Sequence, residues 1–246
     1  MNQLNGKRAL VTGGSRGIGA AIATALAAQG AAVAITFERS RAQASRVVEE
    51  IEARGGRAVA IQADSADPAA IRRSVAEAVS ALGGLDILVN NAGIARYETI
   101  EDFDVQDIDA LFAVNVRGPL LTTQAAIPHL RAGGRVITIG SAGAERVVGV
   151  TGTVYFMTKS ALQSFTRGLA RELGPRDITA NLVQPGSTDT DMNPADGESS
   201  EFQRGLIPLG RYGVPEDVAA TVAFLASPAA RQITGAIINV DGGMLA

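Results

Sequence analysis

Short apolar runs alternate with amphipathic stretches from one end of the chain to the other. The runs are rich in Val, Ile and Leu, which is typical of buried strands, and the stretches between them place apolar residues at helical spacing. Strands are predicted at residues 8–12, 32–36, 57–62, 86–90, 135–139, 178–184 and 236–240. This alternation predicts a parallel sheet with helices on both faces. The expected architecture is therefore α/β, with one doubly wound, seven-stranded sheet.

Local signals set the ends of the predicted helices. Ile18, Ile22 and Leu26 share one helix face, while Asp67 followed by Pro68 has the N-cap and first-turn chemistry of a helix start. Further helices are predicted at residues 40–54, 67–82, 105–131, 154–173 and from 215 onward. A polar stretch at 185–208 interrupts the alternation. Because no repeat or linker divides the chain, we expect a single domain over residues 1–246.

Composition narrows the class of protein. With 46% hydrophobic residues the chain can bury a large core, and a net charge of −3 offers no global attraction to nucleic acid or an anionic membrane. The absence of cysteine and the single His129 exclude disulfides, cysteine or multi-histidine metal sites, and any Ser-His-Asp triad without this histidine. His129 is expected at an exposed helix end. With no signal-peptide or membrane-span pattern, we expect a cytoplasmic protein without a metal, nucleic-acid or membrane partner.

A glycine-rich loop follows the first predicted strand. It has the spacing Gly-x-x-x-Gly-x-Gly and includes Gly13, Ser15, Arg16, Gly17, Ile18 and Gly19. Glycines permit a tight turn there and let backbone N–H groups approach a phosphate at the start of the next helix. Turns of this kind also use glycine for structural reasons alone, but ligands of open α/β sheets bind at the carboxyl ends of strands. The loop is therefore predicted to bind a nucleotide.

Three more motifs follow in order along the chain. Residues 90–93 are Asn-Asn-Ala-Gly, Tyr155 precedes Lys159 by four residues, and Pro185 precedes Gly186. Together with the glycine loop and the tail at 240–243, these motifs resemble the short-chain dehydrogenases/reductases, in particular 3-oxoacyl-carrier-protein-reductase-like members. The resemblance covers the whole chain. It implies a Rossmann-type fold and hydride transfer between a nicotinamide dinucleotide and a small carbonyl or alcohol substrate.

Tyr155 and Lys159 lie one turn apart on the same face of a predicted helix. Reduction of a ketone leaves an alkoxide that must be protonated, and a phenol hydroxyl can supply the proton. Free tyrosine has a pKa of about 10, and a nearby cation lowers it. We therefore expect Lys159 to lower the pKa of Tyr155. In isolation such a pair would more often be a packed tyrosine beside a solvated lysine, but the accompanying motifs favour catalysis.

The resemblance implies two further catalytic residues. Ser141, at the end of the fifth predicted strand, matches a serine that hydrogen-bonds the substrate oxygen. Asn115 matches an asparagine that distorts its helix and holds a water in a proton relay from Lys159. A serine that merely ends a strand and a buried structural asparagine remain the alternatives. The chain departs from the family at Gly140, where a serine is common, and in a slightly longer interval between Ser141 and Tyr155.

The resemblance also implies cofactor contacts beyond the glycine loop. With Tyr155 and Lys159 they are Phe37, Arg39, Ser40, Asp64, Ser65, Asn91, Ala92, Gly93, Pro185, Gly186, Thr188 and Thr190. Phe37 stands where NAD-preferring members usually carry aspartate. Arg16 and Arg39 favour a 2′-phosphate, whereas Glu38 opposes one. NADP(H) is the expected cofactor, with NAD(H) as the alternative.

The substrate side is less informative. Residues 191–206, within the stretch 187–208, resemble the mobile lid of the family, and residues 95–98 and 147–153 are expected to line the pocket with it. Acyl thioester, steroid, sugar, acetoin-like and aryl ketone substrates all stay open.

Assembly is predicted from apolar surface. Val218, Val222 and Leu225 form a stripe on the last helix, and Ile237 and Ile238 make the last strand an apolar edge. Exposed edges are usually covered, and members of the family commonly form symmetric tetramers. We expect a homotetramer.

Two classes of function remain. The first is an NADP(H)-dependent ketone reductase or secondary-alcohol dehydrogenase with Tyr155 as general acid and base. The second is a nucleotide-binding regulatory protein that keeps the fold with little or no turnover. The complete set of Asn115, Ser141, Tyr155 and Lys159 favours the enzyme, because a regulator would not need it.

Overall fold

The computed structural model describes residues 3–246, in which seven strands form one parallel sheet. The strands are β1 (Arg8–Val11), β2 (Ala32–Phe37), β3 (Arg57–Gln62), β4 (Leu85–Asn90), β5 (Leu130–Ile139), β6 (Thr179–Pro185) and β7 (Ile237–Val240). The helices are α1 (Gly17–Ala28), α2 (Arg41–Ala53), α3 (Pro68–Leu82), α4 (Val105–Phe112), α5 (Gly118–Ala126), α6 (Thr153–Leu173), α7 (Ser200–Gly205) and α8 (Pro215–Ala226). The predicted Rossmann-type fold is confirmed.

The strand order is β3-β2-β1-β4-β5-β6-β7, so the chain reverses its direction across the sheet between β1 and β4. Val11 at the end of β1 pairs with Val89 of β4 on one side and with Ile35 of β2 on the other. The connections after β1 and β4 leave in opposite directions and open a crevice at the carboxyl ends of the strands. Open α/β sheets bind their ligands at such a switch point.

Hydrophobic cores cover both faces of the sheet. Side chains alternate along a strand, so Val11 joins the core beneath α1, α2 and α8, whereas Leu10 joins the core beneath α3, α5 and α6. Asp67 caps α3 as predicted, because its carboxylate accepts a hydrogen bond from the N–H of Ala69 at 2.8 Å. The two cores cover both faces of the sheet, so its carboxyl edge is the place where a ligand is expected to bind.

The apolar stripe of α8 has a different role from the predicted one. Val218, Val222 and Leu225 are at most 1% exposed and belong to the core beneath α1 and α8. The expectation that this stripe forms a subunit interface is therefore wrong. Ile237 and Ile238 are half-buried on β7, which is an edge strand.

The predicted long helix at 105–131 is interrupted once and ends before residue 130. A π-helical turn, Ala113–Arg117, separates α4 from α5, and a 3₁₀ turn, Ile127–His129, ends the helical run. His129 is exposed at this helix end, as predicted, and Leu130 already pairs with Leu85. The polar stretch at 185–208 is also less irregular than predicted, because it contains α7. No helix within residues 3–246 combines the length and the apolar character of a membrane span.

Candidate active site

The four predicted catalytic residues meet at the carboxyl edge of the sheet. Tyr155 and Lys159 lie in the first turns of α6, where they are only 9% and 5% exposed. The Nζ atom of Lys159 lies 5.9 Å from the centre of the Tyr155 ring and donates a hydrogen bond to the carbonyl of Ile139 at 3.2 Å. Ser141 follows β5 and starts the short turn that leads toward α6. One buried corner therefore holds a phenol, an ammonium group and a hydroxyl.

Asn115 occupies the centre of the π-helical turn and is 1% exposed. Its Oδ1 atom accepts a hydrogen bond from the N–H of Ile94, and its Nδ2 atom donates to the carbonyl of the same residue, both at 2.9 Å. Nδ2 also donates to Thr158 Oγ1 at 3.1 Å. Single π turns are frequent at functional sites, and this one aims the amide at an adjacent loop instead of along its own helix. The predicted distortion of the helix is present.

Gly93 lies between the π-helical turn and Lys159. A side chain on Gly93 would bring its Cβ within 3.2 Å of Lys159 Nζ and 3.4 Å of Asn115 Oδ1. Both polar groups therefore border one small gap beside the 90–93 motif. Any larger residue at position 93 would press on the lysine.

Burial controls the protonation of this corner. Burial raises the pKa of Tyr155 well above its ordinary value; the neighbouring Tyr97 raises it further, and a hydrogen bond with Ser141 lowers it in part. Burial likewise lowers the pKa of Lys159, to about 8. In the protein without cofactor, burial therefore sets the direction of the Tyr155 shift, with the Lys159 ammonium 5.9 Å from the ring centre. That Lys159 lowers the pKa of Tyr155 when a nicotinamide is bound stays a prediction.

The glycine loop has a conformation that only glycine supports. Gly13 and Gly17 have positive φ angles of 65° and 52°. A Cβ atom on Gly19 would lie 2.3 Å from the carbonyl oxygen of Gly13 and 2.4 Å from Asn91 Nδ2. The following N–H groups belong to the first turn of α1, where an α-helix leaves its donors without internal acceptors. The cradle of backbone donors at a helix N-terminus fits the diphosphate of a dinucleotide.

Two threonines hold this loop: Thr12, which begins the glycine motif, and Thr36, which the sequence did not single out. Thr12 Oγ1 accepts hydrogen bonds from the N–H groups of Asn91 and Ala92, each at 3.0 Å, and Thr36 Oγ1 accepts one from Gly13 at 3.1 Å. Asn91 Nδ2 donates in turn to the carbonyls of Thr12 and Gly13 at 2.9 and 3.1 Å. The available signal was a threonine at the carboxyl end of β1 and another near the end of β2. The loop and the 90–93 motif thus form one hydrogen-bonded unit.

The loop after β2 presents charge to solvent. Glu38 and Arg39 form an ion pair with an N···O distance of 2.8 Å. The Phe37 ring is buried, and the Arg41 guanidinium, another residue that was not singled out, lies 5.6 Å from its centre. Ser40 precedes α2 at this rim. The exposed residues next to Phe37 in this loop are therefore more accessible to a cofactor than the buried Phe37 ring itself.

The loop after β3 reaches the same rim. Asp64 is exposed, and its Oδ1 atom accepts a hydrogen bond from the N–H of Ala66 at 2.7 Å. Ser65 is half-buried, and its carbonyl oxygen would lie 2.9 Å from a Cβ atom on Gly118 at the start of α5. The predicted residues of this loop therefore lie at the carboxyl end of β3, beside the start of α5.

Residues after β6 complete the crevice opposite the glycine loop. Pro185 ends β6, and the N–H of Gly186 donates to the carbonyl of Val240 at 3.0 Å. Thr188 bridges to Gly213. The methyl group of Thr190 would lie 3.3 Å from a Cβ atom on Gly17. Thr190 therefore borders the glycine loop.

The predicted pocket walls also meet at the catalytic corner. The Tyr97 ring lies 5.6 Å from the ring of Tyr155 and 6.3 Å from that of Phe156, centre to centre. The N–H of Gly152 donates to the carbonyl of Glu98 at 3.3 Å, which joins segments 95–98 and 147–153. Tyr97 keeps 51% of its surface exposed. An aromatic wall therefore stands beside the candidate acid.

Known proteins resemble this chain over almost its whole length. Residues 13–245 match the family described as Enoyl-(Acyl carrier protein) reductase. A short-chain dehydrogenase from Burkholderia cenocepacia, solved in complex with NADP, is 56% identical with a TM-score of 0.98, over 99% of this chain and 100% of that one. Versicolorin reductase of Emericella nidulans is 43% identical over 98% of this chain and 96% of its own. A cyclic-di-GMP-binding biofilm dispersal mediator protein of Escherichia coli is 42% identical over 98% of both.

This chain belongs to the short-chain dehydrogenase/reductase family and is an oxidoreductase of that class.

Proposed function

We propose that this oxidoreductase uses NADP(H) to interconvert a ketone and a secondary alcohol, with Tyr155 as the general acid and base. The observation that carries the proposal is the position of the Tyr155 phenol. It lies at the carboxyl edge of the sheet, one helical turn from Lys159, in the crevice that the glycine loop borders. This arrangement puts a proton donor where a dinucleotide-binding crevice would present its substrate.

The residues around the crevice can hold a dinucleotide along its whole length. The amides of Gly17, Ile18 and Gly19 suit the diphosphate, Asn91–Gly93 and Lys159 suit the ribose beside the nicotinamide, and Gly186, Thr188 and Thr190 suit the carboxamide. Asp64 and Ser65 border the adenine end, where Arg16, Arg39 and Ser40 suit a 2′-phosphate. The NADP complex of the Burkholderia relative supports this cofactor. When bound, NADP(H) supplies or accepts the hydride.

The protein side of the reaction is proton transfer. Tyr155 hydrogen-bonds the substrate oxygen and gives it a proton during reduction, while the hydroxyl of Ser141 orients that oxygen. A raised pKa keeps the phenol protonated near neutrality, which suits the direction of ketone reduction. Asn115 fixes the turn beside Lys159 through Ile94.

The aromatic wall favours an aryl ketone among the open substrate classes. Tyr97 and Phe156 flank Tyr155, and half of the Tyr97 surface is free to contact a flat ring. The regulatory alternative has weaker support from this chain. A protein that only binds nucleotide has no need of a buried acid with its lysine and serine in place, even though one relative is named for binding cyclic di-GMP.

We also propose a homotetramer, on other evidence than the α8 stripe. Phe112 and Leu120 are 39% and 45% exposed and flank a groove along α4, the π turn and α5. Edge strand β7 offers a second surface. Sedimentation velocity should give a mass near four times 25.3 kDa, and a monomeric mass at micromolar concentration would contradict the proposal.

Replacement of Tyr155 by Phe tests the function. Turnover of NADPH with a panel of aryl and aliphatic ketones should fall by about 10²–10⁴-fold, while the Kd for NADPH stays within about twofold. Tyr212→Phe is the matched control, since it also removes one phenol hydroxyl from a mostly buried ring. Near-normal turnover in Tyr155→Phe would refute the role of this residue.

A further inference from the structure

Both arginines that suit a 2′-phosphate already hold a carboxylate. Arg39 pairs with Glu38, its neighbour in sequence. Arg16 pairs with Asp191, with an N···O distance of 3.1 Å between Nη1 and Oδ2, across 175 positions of sequence. The second pair therefore links the glycine loop to the start of the 191–206 segment.

The link between Arg16 and Asp191 lies beside a second contact. Thr190 precedes Asp191, and its methyl group packs near Gly17, the residue after Arg16. Thr190 also forms a bridge with Asn193 that turns the chain at this point. Neighbouring residues of the two segments therefore contact each other, which keeps the Asp191 carboxylate within reach of the Arg16 guanidinium.

We propose that Asp191 is a cofactor-specificity residue. Its carboxylate competes with the 2′-phosphate for Arg16 and so weakens the binding of NADP(H) without affecting NAD(H). The inference rests on the proposed function, in which Arg16 meets the 2′-phosphate. A phosphate is the stronger partner, because it carries more charge and three acceptor oxygens. Asp191 therefore tempers the preference for NADP(H) without reversing it.

The solvent exposure of Arg16 and Asp191 limits how strongly Asp191 competes with the 2′-phosphate. The side chains of Arg16 and Asp191 are 60% and 65% exposed, so water and salt screen their attraction. Exposed ion pairs are weak, and releasing one corresponds to an affinity change of about two- to fivefold. Asp191 also begins the lid segment, so the same exchange frees that segment from the glycine loop when a 2′-phosphate arrives.

Calorimetric titration of the full chain with NADPH and NADH at low salt tests the inference. Asp191→Asn should lower the Kd for NADPH by about two- to fivefold and leave the Kd for NADH unchanged. Arg16→Gln should raise the Kd for NADPH selectively. In the Arg16→Gln background, Asp191→Asn should have no further effect, because the pair no longer exists.

Asp196→Asn is the matched control. It removes the same charge from the same exposed segment, and Asp196 forms no ion pair within residues 3–246. Its Kd values should match the parent. The inference is overturned if Asp191→Asn leaves the NADPH affinity unchanged, or changes NADPH and NADH equally. If Arg16→Gln fails to weaken NADPH selectively, the proposed role of Arg16 fails, and the inference falls with it.

Discussion

The two sides of the crevice are built by different means. On the glycine-loop side, Thr12 and Thr36 are 8% and 2% exposed, and they join the loop to the 90–93 motif through backbone groups. On the other side, hydrogen bonds between side chains hold the 191–206 segment. Gln203 Oε1 accepts two of them, from Ser187 Oγ at 2.6 Å and from Asn193 Nδ2 at 2.9 Å. Arg204 adds a bond to the carbonyl of Ala195.

This difference separates two kinds of constraint. Hydrogen bonds to buried backbone are costly to lose, so the glycine-loop side admits few residues and holds one geometry. Partly exposed side-chain contacts are weak and replaceable, so the segment opposite can vary with the substrate. The first side would then fix the cofactor and the chemistry, while the second would adapt the specificity.

The sharpest test of the rigid side is Gly19→Ala. The added Cβ would lie 2.3 Å from a backbone oxygen, and neither it nor the Asn91 amide beside it can move without breaking the loop. We expect a loss of about 3 kcal/mol in the free energy of unfolding, a drop in Tm of about 6–12 °C, and loss of NADPH binding.

Gly168→Ala is the control for that variant. Gly168 lies inside α6, and a Cβ there would meet no atom within 4 Å. Alanine is the better helix former, so this change should stabilise the protein by about 0.5–1 kcal/mol. A Gly19→Ala protein as stable as Gly168→Ala would remove the distinction between the two sides of the crevice.

The next test concerns Lys159, because the free-energy cost of burying its ammonium group depends on pH. The pKa of Lys159 falls from 10.5 to about 8 on burial, so between these values the unfolded chain binds more protons and the fold gains stability as pH rises. Below about pH 8 the full penalty, about 3 kcal/mol, is present. Lys159→Met should therefore raise the free energy of unfolding by up to that amount at pH 7, measured by urea unfolding without cofactor. The gain should vanish by about pH 10.5.

Lys7→Met is the control, because Lys7 is the only other lysine and is partly exposed. Its free energy of unfolding should match that of the parent protein at pH 7 and at pH 10.5. If Lys159→Met is equally destabilised at pH 7 and pH 10.5, its ammonium carries no burial cost, and the corner is less constrained than its exposure indicates.

Sequence patterns were most informative about the rigid side. The strands around the switch point are buried on both faces, so they appear as continuous apolar runs, and the glycines there are required by φ angles and close contacts. These requirements are local and leave a direct trace in the sequence. The candidate residues at 13–19 and 90–93 were therefore identifiable without a structure, whereas Tyr155 and Lys159 were identified through their resemblance to a family motif.

Other features depend on which surfaces meet. The α8 stripe has the same pattern whether it faces another subunit or α1, and only the fold decides between them. The pKa of Tyr155 depends on its burial and on Tyr97, which is remote in sequence. The resemblance implied the distortion of the helix at Asn115 but not its hydrogen-bond partner Ile94, and the pair of Arg16 and Asp191 depends on the approach of two loops.

The smallest expected effect, and the one that tests the adaptable side, is Tyr97→Leu. Tyr97 is half exposed, so its loss should change the free energy of unfolding by less than about 1 kcal/mol. If an aryl ketone packs on this ring, kcat/KM for aryl ketones should fall about two- to tenfold, since an aromatic pair contributes about 0.5–1.5 kcal/mol beyond its buried area. The values for aliphatic ketones and the Kd for NADPH should stay near the parent's. Tyr97→Phe keeps the ring and should retain the preference. An equal loss for both ketone classes would mean that Tyr97 supports Tyr155 instead of selecting the substrate.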